Sequence, residues 1–334
     1  MLASVHFKNF KALRSAAVKI EPFNLVIGPN GSGKTSLIQA LLRLRTLAAL
    51  PAAHTHETTH IRHGGPEIEF RFRPPFDRVR VVCGCTHDEL VCDTLAVLHG
   101  PGGPDEKLWD DLRARLLTIR GFLFDHYAMA VPAKRDERRE LASNAGNIAA
   151  VLSEWHERAP EALAKLEAEF RRIVPEFKGL EFREVGVERV ELLARVNGEA
   201  VPADALSQGT LYLLAVLTLA FAPEPPAVVC LEEADRGVHP RLLREIRDAL
   251  YRLSYPQDFG EQRAPVQVIT TTHSPYLLDL FKEHPEEVVL ANKHQRSATF
   301  ERLSERADLR ELLGESNLGD LWYSGILGGT PDEA

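Results

Sequence analysis

The apolar run Asn24-Leu-Val-Ile27 feeds directly into Gly28-Pro-Asn-Gly-Ser-Gly-Lys-Thr35, and a helix-forming stretch from Lys34 to about Leu50 follows. No other feature restricts the fold as much. A strand, a glycine turn and a helix start in that order aim backbone N–H groups at one point, and that point suits a phosphate. The motif predicts a nucleotide held by Asn30, Gly31, Ser32, Gly33, Lys34, Thr35 and Ser36, with Lys34 a cation for the β and γ phosphates and Thr35 a hydroxyl for Mg²⁺. A plain glycine turn is the bland alternative, and the strand-loop-helix context speaks against it.

Two further apolar strands end in groups that phosphate chemistry needs. Ala227-Val-Val-Cys-Leu-Glu-Glu233 closes on two acids, and a strand buried on both faces can expose carboxylates only at its end. Glu232 is expected to hold Mg²⁺ through water and Glu233 to polarise an attacking water. Val268-Ile-Thr-Thr-Thr-His273 brings His273 level with those acids if the strands are neighbours, where an imidazole can donate to a terminal phosphate or to the water. Ser207, in Leu206-Ser-Gln-Gly-Thr210, stands at the N-cap position of the apolar helix Leu211 to Phe221. As a cap it needs no function, yet a helix N-terminus carrying Ser and Gly is also an anion site.

Around these motifs the chain reads as α/β. Strands are expected over Ala3 to Phe10 and Ala16 to Ile20, an exposed excursion over Pro51 to Gly65, an antiparallel pair from Glu67 to Arg73 and Val79 to Cys85, and a loop from Gly100 to Pro104. Between Ala133 and Phe177 the chain turns helical and charged, with Leu163, Leu166, Phe170 and Ile173 at spacings of three and four before Pro175. Strand Ala227 to Leu231, helix Arg241 to Leu253, strand Val266 to Thr272 and helix Pro275 to Phe281 alternate as parallel units do. The expectation is a single domain over 1–334. Residues 1–132 would form a lobe with the phosphate loop and an antiparallel β subdomain, 133–200 a helical lobe and hairpin, and 201–334 the portion with Ser207, the acids and His273.

Composition sets the remaining bounds. No run of about 18 or more uncharged apolar residues occurs, and the N-terminus lacks a signal peptide's apolar core, so a cytoplasmic protein without membrane association is expected. The formal net charge of −8 gives no general attraction to nucleic acid. Local basic groups at Lys8, Lys11, Arg14 and Lys19, and at Lys134, Arg135, Arg138 and Arg139, read more readily as solvated faces than as a DNA patch. Cys83, Cys85 and Cys92 cluster near His87. Their strand-like setting, Val-Arg-Val-Val-Cys-Gly-Cys, favours buried reduced thiols over zinc.

Taken in order, phosphate loop, Ser-Gln-Gly segment, strand ending in Glu-Glu and strand ending in His resemble the core of ABC-type ATPases. More closely they resemble the RecF, SMC and OLD (overcoming lysogenization defect) branch of AAA family ATPases. Lys8-Asn-Phe-Lys11, Ile27-Gly-Pro-Asn-Gly-Ser-Gly, Glu232-Glu-Ala-Asp-Arg-Gly-Val-His-Pro240 and Thr272-His-Ser-Pro275 carry the likeness, over roughly residues 1 to 48 and 142 to 280. The resemblance implies a P-loop NTPase fold of the SMC/RecF type, a mixed sheet with flanking helices, an antiparallel β subdomain and a short helical lobe. It further implies ATP and Mg²⁺ as ligands, with Glu233 and His273 in the hydrolytic role. Ser207, Gln208 and Gly209 would close over the nucleotide of a second copy, giving a head-to-tail homodimer, and Ala234 and Asp235 would couple the two sites. Two departures point to slow turnover: the family's metal-binding glutamine has no counterpart, since no Gln lies between Gln39 and Gln208, and Glu232 stands where an aspartate is commoner. Asn144 or Asn147 would have to substitute for that glutamine.

Roughly thirty residues follow the strand near Ala298 to Arg302, too few for the Toprim nuclease that the OLD type carries, since even a small domain needs about 50. The resemblance implies control of a separate effector, in particular a nuclease, or a grip on DNA, in phage defence or DNA repair. The apolar tail from Leu313 to Gly329 reads as a last helix packed on the core in preference to a docking strip. The alternatives are the nucleotide-binding subunit of a transporter, whose switch would usually read His-Asp, and a non-hydrolysing ATP-sensing scaffold.

Overall fold

The chain opens with β1 (Leu2–Phe10) and β2 (Leu13–Lys19), an antiparallel pair in which Leu13, Ala16 and Val18 of β2 are buried while Arg14, Ser15, Ala17 and Lys19 face water. That alternation is the signature of a sheet with one wet face. β3 (Phe23–Ile27), by contrast, is buried at every residue. The computed structural model describes residues 1–56, 64–85, 91–135, 140–294 and 297–328. α1 (Lys34–Ala48) follows the glycine loop, then β4 (Ala53–His56), β5 (Glu67–Phe72), β6 (Val79–Gly84), β7 (Thr94–His99) and α2 (Glu106–Leu116). The first sheet runs β2-β1-β5-β6-β7-β4. The expected antiparallel pair appears as β5 and β6, with Phe70 opposite Val81 and Ile68 opposite Cys83.

Two local features depart from the sequence reading. Within the stretch read as an excursion, Ala53–His56 is a strand, paired in parallel with β7. A parallel partner some forty residues away leaves no local signature, and the polar His-Thr composition hides the pairing. α2 was not anticipated either, although its signals are local: Asp105 caps it by accepting from Leu108 N at 2.9 Å, and Trp109, Leu112 and Leu116 are buried at helical spacing.

By its contacts the chain divides into two compact units, Met1–Arg120 with Pro226–Cys230 and Pro265–Ala334, and Gly121–Pro225 with Leu231–Ala264. β8 (Arg120–Phe122) lies where the chain passes into the second unit, which continues with α3 (His126–Met129), β9 (Ala133–Lys134), α4 (Ile148–Arg158) and α5 (Pro160–Ile173). Leu163, Leu166 and Phe170, the periodic residues expected to be apolar anchors, are buried in α5. The hairpin of β10 (Phe177–Glu184) and β11 (Arg189–Val196) is extended by β12 (Glu199–Pro202), joined through Asn197 and Gly198 at φ 51° and 91°, as a tight hairpin turn requires. α6 (Gln208–Ala220) is buried from Leu211 through Ala220, so it forms the centre of this unit.

β13 (Val228–Leu231) completes one strand of the second large sheet before α7 (Leu243–Ser254), which follows a short 3₁₀ turn over Pro240–Leu242. The chain then adds β14 (Gln267–Thr272), α8 (Pro275–Asp279), β15 (Val288–His294), β16 (Ser297–Arg302), α9 (Leu309–Glu315) and α10 (Leu318–Tyr323). Within the first unit this sheet has the order β16-β15-β3-β14-β13, with β3 parallel to both its neighbours. Gln267 ties it to the chain's start, accepting from Leu2 N at 2.9 Å and donating to Leu2 O at 2.8 Å. In the tail, Leu318, Leu321 and Leu327 are buried, and Gly319 N donates to Asp279 of α8 at 2.6 Å.

All four cysteines are buried and unbridged. Among the described residues no cluster of three or more His, Cys, Asp or Glu could hold a metal, and His87 lies outside them. Burial, and then the neighbouring cysteines, push the thiols of Cys83 and Cys92 well above their usual range. A thiol held protonated and shielded reacts slowly. Ellman's reagent at pH 8 is expected to titrate fewer than one thiol per chain within minutes, and four in denaturant. Rapid titration of two or more in the native protein would contradict this packing.

Candidate functional site

The loop from Gly28 to Thr35 is shaped by three glycines. Gly31 and Gly33 have φ of 75° and 93°, left-handed values that side chains resist. A Cβ on Gly28 would stand 2.2 Å from Ala291 O, so the loop and β15 can approach only without one. Lys34 is 8% exposed, and its ammonium donates to Gly28 O at 2.7 Å and to Pro29 O at 2.9 Å. Asn30, Gly31 and Thr35 are exposed and Ser36 is half-buried. Ser32 Oγ is buried without a hydrogen-bond partner. An orphaned buried hydroxyl in a glycine loop, beside a buried cation, fits an anionic group that would satisfy it.

Register fixes what stands beside the loop. Thr272 of β14 is opposite Ile27 of β3, so His273 and Gly28 leave the sheet at the same edge. His273 is exposed. Its neighbour Ser274 is pinned, donating from N to Thr272 Oγ1 at 2.9 Å and accepting from Leu277 N at 3.3 Å. On the other side Leu290 is opposite Ile27, and β15 continues past the pairing to bring Lys293 over the loop, its Nζ 3.5 Å from where a Cβ on Gly31 would be. Sequence reasoning passed over Lys293. Lys293 lies in the polar continuation of the apolar run Val288 to Leu290, and the register of β15 on β3 sets its place.

In the second unit Ser207 caps α6, its Oγ accepting from Thr210 N at 3.1 Å and meeting Thr210 Oγ1 at 2.8 Å. Gln208 lies across Gly237, where a Cβ would fall 2.3 Å from the Gln208 amide, and Gly237 has a φ of 66°. A Cβ on Gly209 would lie 3.2 Å from Gly237 O. The start of α6 and the loop after β13 are therefore packed backbone to backbone. Glu232 is half-buried, with its N donating to Phe122 O at 2.8 Å. Glu233 is exposed and adopts φ 53°, uncommon for a residue with a side chain. Its carbonyl accepts from the Tyr212 hydroxyl at 2.7 Å and from Arg236 N at 2.9 Å, while its carboxylate lies 3.8 Å from Arg236 Nε. Tyr212 and Gly237 were not singled out from sequence.

The two asparagines considered as substitutes for the absent glutamine are engaged locally. Asn147 accepts from Ala142 N at 2.8 Å and donates to Glu140 O at 3.0 Å, and Asn144 accepts from Gly146 N at 3.0 Å. Several basic side chains are matched by acids: Lys8 with Glu67, Lys19 with Glu305, Lys134 with Glu188, and Arg135 with Glu157 and Glu184. Lys11 donates to Gln39, and Arg138 and Arg139 lie outside the described residues. Among the described residues no helix is long and apolar enough to cross a membrane.

Residues 119–279 match a family model described as "AAA domain, putative AbiEii toxin, Type IV TA system", and residues 1–78 match one described as "AAA ATPase domain". No curated protein matches in sequence. Solved structures similar to this chain include an SMC head bound to the C-terminal winged-helix domain of ScpA, with 13% identity, a TM-score of 0.59, and coverage of 90% of this chain and 96% of that one. A Pyrococcus furiosus SMC head with an extended coiled coil, bound to the C-terminal domain of ScpA, gives 12% identity and a TM-score of 0.55 over 94% of this chain and 99% of that one. The SMC head of Thermotoga maritima gives 14% identity and 0.50 over 90% and 98%. The fold is that of SMC heads, a P-loop ATPase fold with mixed α/β sheets and flanking helices, and the sequence carries AAA-type ATPase matches in both its first and middle parts.

Proposed function

We propose that this chain binds ATP, hydrolyses it slowly with Mg²⁺, and uses the bound nucleotide to join two copies head to tail. The observation that carries the reading is the loop itself: left-handed glycines, a buried Lys34 and an orphaned Ser32 hydroxyl all lie between Gly28 and Thr35. Lys34 binds the β and γ phosphates and Asn30 to Ser36 wrap them. Thr35 and Glu232 would hold Mg²⁺, which would supply neutralisation of phosphate charge there. Glu233 accepts the proton of the attacking water, and His273 donates to the γ phosphate. Ser207, Gln208 and Gly209 of one copy face the nucleotide of the other, with Ala234 and Asp235 linking the two sites. The absent glutamine and the longer Glu232 support slow turnover.

The output of such a dimer is a change in what it presents to a separate effector, and we assign the effector class as a nuclease, acting with DNA in phage defence or repair. Two of the solved SMC heads are bound to a domain of a separate protein, ScpA, which supports an external partner. The pairing of Lys8, Lys19, Lys134 and Arg135 with acids supports placing DNA contact in the effector.

Phosphate release measured with purified protein, followed by affinity capture from the native host in ATP, tests both steps. ATP-dependent phosphate release and a co-eluting nuclease or DNA are expected. A membrane permease in the eluate would return the transporter reading and sink this one.

A further inference from the structure

Glu233 holds an unfavourable backbone conformation, and the second unit contains a device that keeps it there. Tyr212 is 1% exposed, one turn into α6 from the Ser207 cap, and its ring packs edge-on against Phe124 at 5.2 Å between centroids. Its hydroxyl reaches out of that apolar setting to Glu233 O at 2.7 Å. Burial, followed by the charges of Asp235 and Glu233, raises the phenol's pKa, so it stays a neutral donor. At the other end of the same loop, the Gln208 amide occupies the space over Gly237. Both ends of the segment Glu233 to Gly237 are thus fastened to the first turns of one buried helix.

We propose that Tyr212 is a positioning residue for Glu233: through its hydrogen bond to the Glu233 carbonyl, α6 sets the carboxylate's place, and engagement of nucleotide at Ser207 to Gly209 is transmitted to the hydrolytic acid. This rests on the ATPase reading above and adds to it the element that couples the two ends of α6's first turns. α6 is a continuous helix whose half-buried first turn runs into the segment buried from Leu211 onward, so a displacement at its N-cap is carried along the helix to Tyr212. Because the Tyr212 contact is to backbone and the Glu233 residue is left-handed, release of the bond lets φ relax and swings the carboxylate. A misplacement of about 1 Å in a reacting group can cost up to about a hundredfold in rate.

Tyr212→Phe keeps the ring against Phe124 and removes only the hydroxyl. Its kcat for ATP is expected to fall about tenfold or more, with ATP affinity within about twofold of wild type. In the Glu233→Gln background the same change is expected to have no further effect on kcat, because the acid it positions is already gone. Amide exchange supplies a readout without turnover: the Arg236 amide, bonded to Glu233 O, should exchange several times faster in Tyr212→Phe, and ATP should slow exchange over residues 233–238 in wild type but not in the variant. Gly237→Ala should reproduce the loss, because a Cβ there meets the Gln208 side chain and the backbone is left-handed.

If wild type hydrolyses ATP while Tyr212→Phe shows the same kcat and the same exchange, the positioning role is overturned and the ATPase reading stands. If Tyr212→Phe lowers kcat equally in both backgrounds, its effect is general and the role is overturned. If wild type and Lys34→Ala both fail to bind ATP, the ATPase reading falls, and this proposal with it.

Discussion

Replacing Lys34 by alanine is expected to reduce ATP affinity on the order of a hundredfold or more, the largest binding effect available from one side chain. Two charge-assisted hydrogen bonds from a buried ammonium to phosphate oxygens are together worth about 3 kcal/mol, and every 1.4 kcal/mol is about a tenfold change in dissociation constant. That ammonium is held by Gly28 O and Pro29 O, so the side chain is ordered at the loop and little ordering is needed on binding. The variant should fold, because α1 keeps its other buried contacts through Leu37, Ile38, Leu41 and Leu44 and the glycines that shape the loop are untouched. Isothermal titration with ATP and with ADP, beside a thermal melt, checks both halves. An unchanged affinity in a folded variant would mean that the loop does not hold phosphate, and the ATPase reading would fail.

How much of this was legible in sequence depends on how local each signal is. The phosphate loop, the Ser207 cap, the strand ends at Glu233 and His273, and the Leu163, Leu166, Phe170 stripe are all encoded within a few residues. Spacing and turn chemistry alone suffice for them. β4 and Lys293 depend on partners far along the chain: β7 in one case, and the register of β15 on β3 in the other. No local pattern records such a register. The left-handed Glu233 was also out of reach, since glutamate gives no hint of positive φ and the contacts that hold it come from Tyr212 and Gln208, more than twenty residues upstream. Gly237 was the one local trace of that arrangement. A glycine four residues past the acid marks a position where a side chain could not fit, and it belongs to the same packed loop.

The Arg236 contact makes the behaviour of Glu233→Gln specific. In this structure the Glu233 carboxylate faces the guanidinium of its own loop, with both side chains about half exposed, so the pair contributes little to stability and can be given up. Glutamine has nearly the same shape and leaves the Glu233 carbonyl bonded to Tyr212, but it cannot take a proton from water. Loss of a general base costs about 10²- to 10⁴-fold, so phosphate release should drop by that factor while ATP affinity holds. If nucleotide joins two copies, slowing its removal lets the joined state accumulate. Light scattering with Mg²⁺ and ATP should then report a mass about twice the chain's 37.2 kDa for the variant, and a return to the nucleotide-free mass when ATP is withheld. A variant that hydrolyses ATP at the wild-type rate would remove Glu233 from the chemistry. One that ceases hydrolysis yet shows no ATP-dependent change in mass would leave the chemistry intact and remove the composite head-to-tail site.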